Sequence, residues 1–323
     1  MTYKSIWQDD PYLPDDALQG EDLVYKIKID DNTVYSGVSV PLSSTSLPLP
    51  INVSKICSDF LDQYPLSNTT DEWLDLGGYN TFDVYHNDTL ADTMNYYNDW
   101  SYDNNRESYT NLTVLNEPIN GNISHNCLLP ISVYQPQSVT GGWNLYITTP
   151  GLPISLNILK PDTEFAYYLF SLYPTTTTLK TITLQKSNVN YVTYNYLPCG
   201  EGCLYYKNRY GGWDVFLLEH NIKKQVSYEK EYFTKPNEGK NINKNTLTTT
   251  YETSTGWLND NQSRLLVYHL MSSKSVYYHN FEDDKIIPVN LTNDEVAEKK
   301  FKDNKQLINY NITMTERKTK VIC

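Results

Sequence analysis

Between Leu128 and Phe233 the chain is a succession of short apolar, strand-like runs, each cut off by a turn signal. That pattern leaves room for little except a β fold. The runs are Ile131–Tyr134, Trp143–Thr148, Leu152–Leu159, Phe165–Tyr173, Leu179–Gln185, Tyr191–Leu197, Cys203–Lys207, Trp213–Glu219 and Val226–Phe233. Gly141-Gly142, Pro150-Gly151, Pro161-Asp162, Gly200-Glu201-Gly202 and Gly211-Gly212 punctuate them. Many short strands at this spacing predict a β-sandwich of immunoglobulin-like kind over 127–233, without the Cys…Trp…Cys framework of antibody domains.

Composition agrees. Tyr supplies 29 of the 43 aromatic residues, while Ala occurs only at 17, 91, 166 and 297 and Arg only at 106, 209, 264 and 317. Tyr suits strands, and Ala and Arg are strong helix formers, so the chain leans mainly β. The Tyr excess has two readings: strand-forming core, or platforms for partners and sugars.

The flanks differ from the middle. Residues 1–20, with Pro11, Pro14 and four Asp, predict an extended arm. Leu23–Ile29 alternates, Asp30-Asp31-Asn32 turns, and Thr33–Val40 returns, so an N-terminal β domain is expected over 21–126. It includes a short helix: Asn52 is placed to cap, and Val53, Ile56, Cys57, Phe60 and Leu61 share one face. Cys57 then packs as a small hydrophobe. Further strands are expected at Tyr79–His86 and around Tyr96–Tyr102. Residues 234–246 are almost without apolar side chains and predict a polar linker or loop. After it, 247–323 predicts a compact C-terminal α+β module, with Asn259 and Gln262 at capping-box spacing before a helix reaching about Ser272.

Net charge is −12 over 323 residues. That argues against a protein that grips nucleic acid through phosphates, and against docking on anionic membranes. No apolar run is long enough for a transmembrane helix, and the first residues lack a signal-peptide core, so a soluble, cytoplasmically made chain is expected. The five cysteines (57, 127, 199, 203, 323) make no disulfide framework; Cys199 and Cys203 admit a cross-strand bridge, but reduced thiols are expected.

Catalytic constellations are missing. The histidines at 86, 125, 220, 269 and 279 show no metal-binding spacing, and Cys199-x3-Cys203 is at most half a zinc site. Asp9-Asp10, Asp15-Asp16, Asp30-Asp31 and Asp283-Asp284 are adjacent pairs, whose members point apart in a strand; glycosidase carboxylates must face each other across a cleft. No nucleophile elbow or phosphate loop occurs. The expectation is a non-enzyme with no catalytic, cofactor or metal residues. Eight Asn-x-Ser/Thr sequons follow from the abundance of those residues. Trp143, Trp213, Trp257 and the Gly211-Gly212 turn are expected to matter most for folding.

Three segments carry a family resemblance. They are Ile51–Leu61 after a hairpin ending Tyr35-Ser-Gly-Val38, Leu204–Glu219 (with Asn208-Arg-Tyr-Gly-Gly-Trp-Asp214), and Tyr251–Ser263 continued by Ser275–Asn280 and Ile286–Val289. In this order they resemble virion structural proteins of crAss-like and other tailed phages infecting gut Bacteroides, nearest to the ring or tail-assembly proteins stacked below the portal. The resemblance covers about residues 20–320 and departs at Cys199–Cys203 and at 234–246. It implies an architectural subunit in the virion tail, assembled in the host bacterial cytoplasm. The implied partners are itself in a ring, twelve copies to match the portal, and neighbouring tail or portal rings; genomic DNA passes non-specifically. It implies no catalytic residues. The alternative is a receptor- or carbohydrate-binding virion protein of the tail.

Overall fold

The computed structural model describes residues 3–5, 11–14, 17–61, 64–67, 69–98, 108–109, 111–124, 126–149, 153–171, 180–235, 239–293, 308–317 and 320–322. It is mainly β, with sandwich-type packing of several sheets and two short helical segments. No helix among these residues is long and apolar enough to cross a membrane.

The N-terminal sheet orders its strands as Asn32–Ser39, Leu23–Ile29, Tyr79–His86, Thr89–Tyr97, Tyr3–Ser5 and Ser108–Tyr109. Two of its hairpins turn on two-residue links, Asp30-Asp31 and Asn87-Asp88, in which every φ is positive. Asp and Asn tolerate that conformation, and the turn's twist matches the strands it joins. The strand expected around Tyr96–Tyr102 begins earlier, at Thr89, because it pairs along Tyr79–His86. The segment 99–107 lies outside the described residues. Asn52 caps the helix Val53–Cys57, its side chain accepting from the Lys55 N–H. Val53, Cys57 and Leu61 reach the core as expected, while Phe60 stays partly exposed. The described part of the arm folds back on its own chain: Tyr3–Ser5 pairs parallel with Thr89–Tyr97. The Tyr3 ring meets Phe165 edge-on at 5.1 Å.

Two further sheets form the central sandwich. One is Thr113–Val114, Leu128–Tyr134, Phe165–Ser171 and Trp73–Asp75; the other is Asn122–Ile123, Val189–Tyr196, Thr181–Lys186, Trp143–Thr148 and Ile154–Ile158. Leu129, Ile131, Val133, Trp143, Leu145 and Leu184 belong to one shared core. Trp143–Thr148 and Val189–Tyr196 bury alternate residues, whereas Leu128–Tyr134 is buried on nearly every residue.

Sheet membership cuts across the expected 127–233 unit. The hairpin Gly202–Lys207 and Trp213–Leu218, the central hairpin, belongs to the last sheet, beside Val276–Asn280, Lys285–Leu291 and Asn311–Glu316. It is buried on both faces: Cys203, Tyr205, Trp213 and Val215 pack into the sandwich core, while Leu204, Tyr206 and Phe216 pack into a second core under the helix. The helix starts at the Asn259–Gln262 capping box, runs Asp260–Leu265, and continues as a π-helix to Met271.

The polar linker expected at 234–246 is overturned. Residues 234–235 and 239–246 belong to a long hairpin, Lys223–Lys235 and Gly239–Ser254, paired from Lys223↔Glu252 to Lys235↔Gly239. Residues Lys223–Tyr232 are exposed, so no buried face imposes a hydrophobic period there. Trp257 is a second correction. It is 67% exposed, and its neighbour Leu258 enters the core instead. Part of the Tyr excess is core: Tyr96, Tyr97, Tyr134, Tyr167, Tyr194, Tyr205, Tyr206 and Tyr278 are fully buried, while Tyr35, Tyr64, Tyr191, Tyr228, Tyr232 and Tyr268 are exposed.

Candidate functional site

The residues with the most chemistry are buried and spent on structure. Asp214, on the central hairpin, is wholly buried. Asn116 Nδ2 donates to its Oδ1 at 2.9 Å, and the Glu117 N–H and Asn208 Nδ2 donate to its Oδ2 at 3.0 and 2.6 Å. Burial pushes its carboxyl up to about 7, against the pull of those three donors. Asn208 Oδ1 accepts from the N–H groups of Tyr210 and Gly212, which shapes the 208–212 turn. Gly211 sits there at φ 77°, and a Cβ on Gly212 would lie 2.7 Å from that of Leu115. The turn glycines expected from the sequence are thus required by conformation and by contact.

Beside this cluster, His269 approaches Glu117 Oε2 at 3.3 Å, and Arg209 lies 3.8 Å from the same oxygen. Burial, together with Arg209 and Arg264, pulls the imidazole down to about 3, so it is neutral. His279 is in a different place: its Nε2 meets Asp284 Oδ1 at 3.0 Å, and its Nδ1 lies 3.4 Å from the Tyr205 hydroxyl. His269 and His279, ten residues apart in the sequence, do not form one site. Among the described residues no group of three or more His, Cys, Asp or Glu is placed to hold a metal ion. His125, Asp9, Asp10, Asp15, Asp16 and Cys323 lie outside the described residues.

Cys199 and Cys203 are both free thiols; Cys199 is exposed and Cys203 buried. Burial raises the Cys203 thiol well above its ordinary range, and Cys57 to about 12. A maleimide reagent is therefore expected to label Cys199 in the native protein and to reach Cys57, Cys127 and Cys203 only after unfolding. Peptide mapping before and after denaturant checks this; rapid native labelling at Cys203 would contradict it.

What the surface offers is contact area. Asn32–Ser39 ends its sheet, and among the described residues nothing pairs with its outer side. It carries no charged residue. Val24 and Val38, paired across the two strands, are 42% and 57% exposed. Val40, Leu42, Leu47 and Leu49 continue this exposed apolar ground into the following loop. Such an uncharged edge is a template for pairing with another chain. Ile154–Ile158 is a second uncharged edge, shorter, with Ile154 and Leu156 exposed. An open cleft of about 510 Å³ lies between the arm and the Tyr79–Tyr97 hairpin, lined by Tyr12, His86, Thr89, Leu90 and Asp92. The edge was missed from the sequence, although the uncharged stretch Asn32–Pro41 was there to find it.

No protein-family model matches the chain, and no curated protein matches it. Among solved structures, the full extracellular region of plexin A4 is similar at 11% identity and a TM-score of 0.19, over 97% of this chain and 38% of that one. The chain thus spans little more than a third of that protein's length, and a likeness this low carries no argument.

Proposed function

We propose that the protein is a structural subunit of a phage tail or connector ring, stacked below the portal and forming part of the channel through which DNA passes. The observation that carries this reading on the structural side is the uncharged edge strand Asn32–Ser39 with its exposed apolar surround. Monomeric proteins blunt such edges, whereas subunits of assemblies use them. The three-segment resemblance supplies the virion and the ring. A net charge of −12 per copy, repeated round a ring, makes an acidic assembly through which DNA slides without sticking. Mass photometry across concentration, with negative-stain images of the large species, tests the reading. A closed ring near twelve copies is the expected result. A chain that stays monomeric both alone and with its portal overturns it, and a basic lumen in a reconstructed ring overturns the DNA-sliding role.

The cleft by Tyr12 and His86 favours a second reading, a receptor- or carbohydrate-binding protein of the tail. An aromatic ring beside a carboxylate and a hydroxyl is a common way to hold a sugar. Saturation-transfer NMR with host glycans decides: binding abolished by Tyr12→Ala supports it, and no transfer to any glycan removes it.

A further inference from the structure

The charge of this chain is segregated. Residues 1–126 hold twenty acidic side chains against five basic ones, a net of −15. Residues 127–222 and 251–323 each balance to zero. The long hairpin, 223–250, holds six lysines against three glutamates, a net of +3. The described far part of this positive segment runs past its neighbouring strands. Gly239–Ser254 pairs with Asn311–Glu316 only at Thr250–Ser254, and with Lys320–Ile322 only at Asn245–Leu247. Among the described residues, 231–235 and 239–244 pair only with each other. A two-stranded ribbon is marginal in water, and a third strand stabilises it.

Among the described residues, nothing pairs with the outer side of Lys223–Lys235, thirteen residues or about 40 Å long. One face bears Val226, Tyr228 and Tyr232, at 41%, 59% and 57% exposure. The strand carries four lysines against Glu229 and Glu231, and that net positive charge disfavours pairing with a second copy of itself. The edge strand Asn32–Ser39 is the complementary surface. It is uncharged, about 26 Å long, and bracketed by exposed carboxylates, Asp30 and Asp31 at one end and Glu21 and Asp22 at the other.

We propose that the long hairpin of one copy adds along the Asn32–Ser39 edge of the next copy, so that two sheets become one across the contact. This rests on the ring reading above and names the contact that builds the ring. The two surfaces differ, so the contact is head to tail. Repeated, such a contact closes into a ring or runs on as a filament. The strand ladder supplies affinity, Tyr228 and Tyr232 against Val24 and Val38 supply apolar burial, and the charge segregation sets direction.

The test places a benzoylphenylalanine photocrosslinker at Tyr228 in the full chain, mixes isotopically light and heavy copies, and maps crosslinked peptides by mass spectrometry. Crosslinks between copies that fall within residues 21–40 are expected. Two variants accompany it: Glu21→Lys with Asp22→Lys, and replacement of 231–244 by Asn-Gly. Each is expected to weaken association by about tenfold or more at low salt, with an unchanged melting temperature. Raising salt from about 0.05 to 0.5 M weakens the parent in the same sense. Assembly with crosslinks elsewhere, or assembly unchanged in both variants, overturns the hairpin contact and leaves the ring reading standing. A filament bearing the 21–40 crosslink supports the contact and overturns the closed ring. A chain with no inter-copy crosslink at any concentration overturns the contact.

Discussion

Trp213→Ala is expected to lower the unfolding free energy by about 3–5 kcal/mol. Trp213 is fully buried on the central hairpin, the element shared by two cores. Its ring meets Tyr277 edge-on at 5.7 Å and Tyr167 at 6.4 Å. Its backbone is pinned as well: the N–H donates to Ser132 Oγ at 2.8 Å, and the carbonyl accepts from Asn116 Nδ2 at 2.8 Å. Truncation leaves a large cavity that this framework prevents from collapsing, and the cost rises with the cavity that remains. Trp257→Ala is the matched control. That ring is 67% exposed, so its loss is expected to stay within about 0.5 kcal/mol. Urea denaturation followed by far-UV circular dichroism reads both. Equal midpoints for the two variants would mean that Trp213 is not in the core.

The contrast between the two tryptophans shows what the sequence makes legible. Trp213 follows two turn glycines and opens an apolar run, so run and turn chemistry both place it inside. Trp257 also follows a glycine, but the residue after it takes the core position. A single apolar side chain outside a periodic segment has no sequence signal for facing. Most strands were legible because one face is buried and the period of two survives. The long hairpin was not. Lysine, asparagine and threonine on two solvated faces carry no period, and ladder pairing between strands is invisible in composition. Sheet membership was beyond reach for a related reason. Gly202–Lys207 reads as one more strand of its neighbours' sandwich, and only its second buried face, Leu204 and Tyr206, assigns it to the last sheet.

The same limit applies to the candidate site. The acidic pairs and scattered histidines were visible, but nothing in their spacing told which would be buried. Asn116 reaches Asp214, beside Asn208, from nearly a hundred residues away. The charge segregation was fully written in the sequence. It acquires meaning only once the basic segment is seen to be a long hairpin and the acidic segment to end in a bare edge.

Lys207 supplies the largest expected pH effect. It is 1% exposed at the end of the central hairpin, where its ammonium donates to the Leu76 carbonyl at 3.2 Å and lies 5.3 Å from the Trp213 ring centroid. Burial pulls it down to about 7, with Asp75 opposing weakly. In the unfolded chain it titrates at about 10.5. Between these values the unfolded state holds a proton that the folded state has released, so stability rises with pH across the window. Below 7 both states are protonated and the burial cost is borne in full. From pH 7 to 9 the gain is expected to be about 2–3 kcal/mol. Asp214, raised to about 7 from 3.8, acts in the opposite sense but only below 7. The buried thiols Cys57 and Cys203, raised from 9, lower stability only above that pH. Lys186 and Cys127, also held below their ordinary ranges, act in the same sense as Lys207, so the comparison with a Lys207 variant assigns its share of the rise. In Lys207→Met the side chain keeps its length and loses the titrating group, so the rise should shrink by most of that gain, and the variant's advantage over the parent should be greatest at the acid end of the interval. Denaturant midpoints at closely spaced pH values measure both slopes. A parent curve that is flat between pH 7 and 9 would mean that the lysine keeps its charge in the folded protein, and the dry surroundings assigned to it would be wrong.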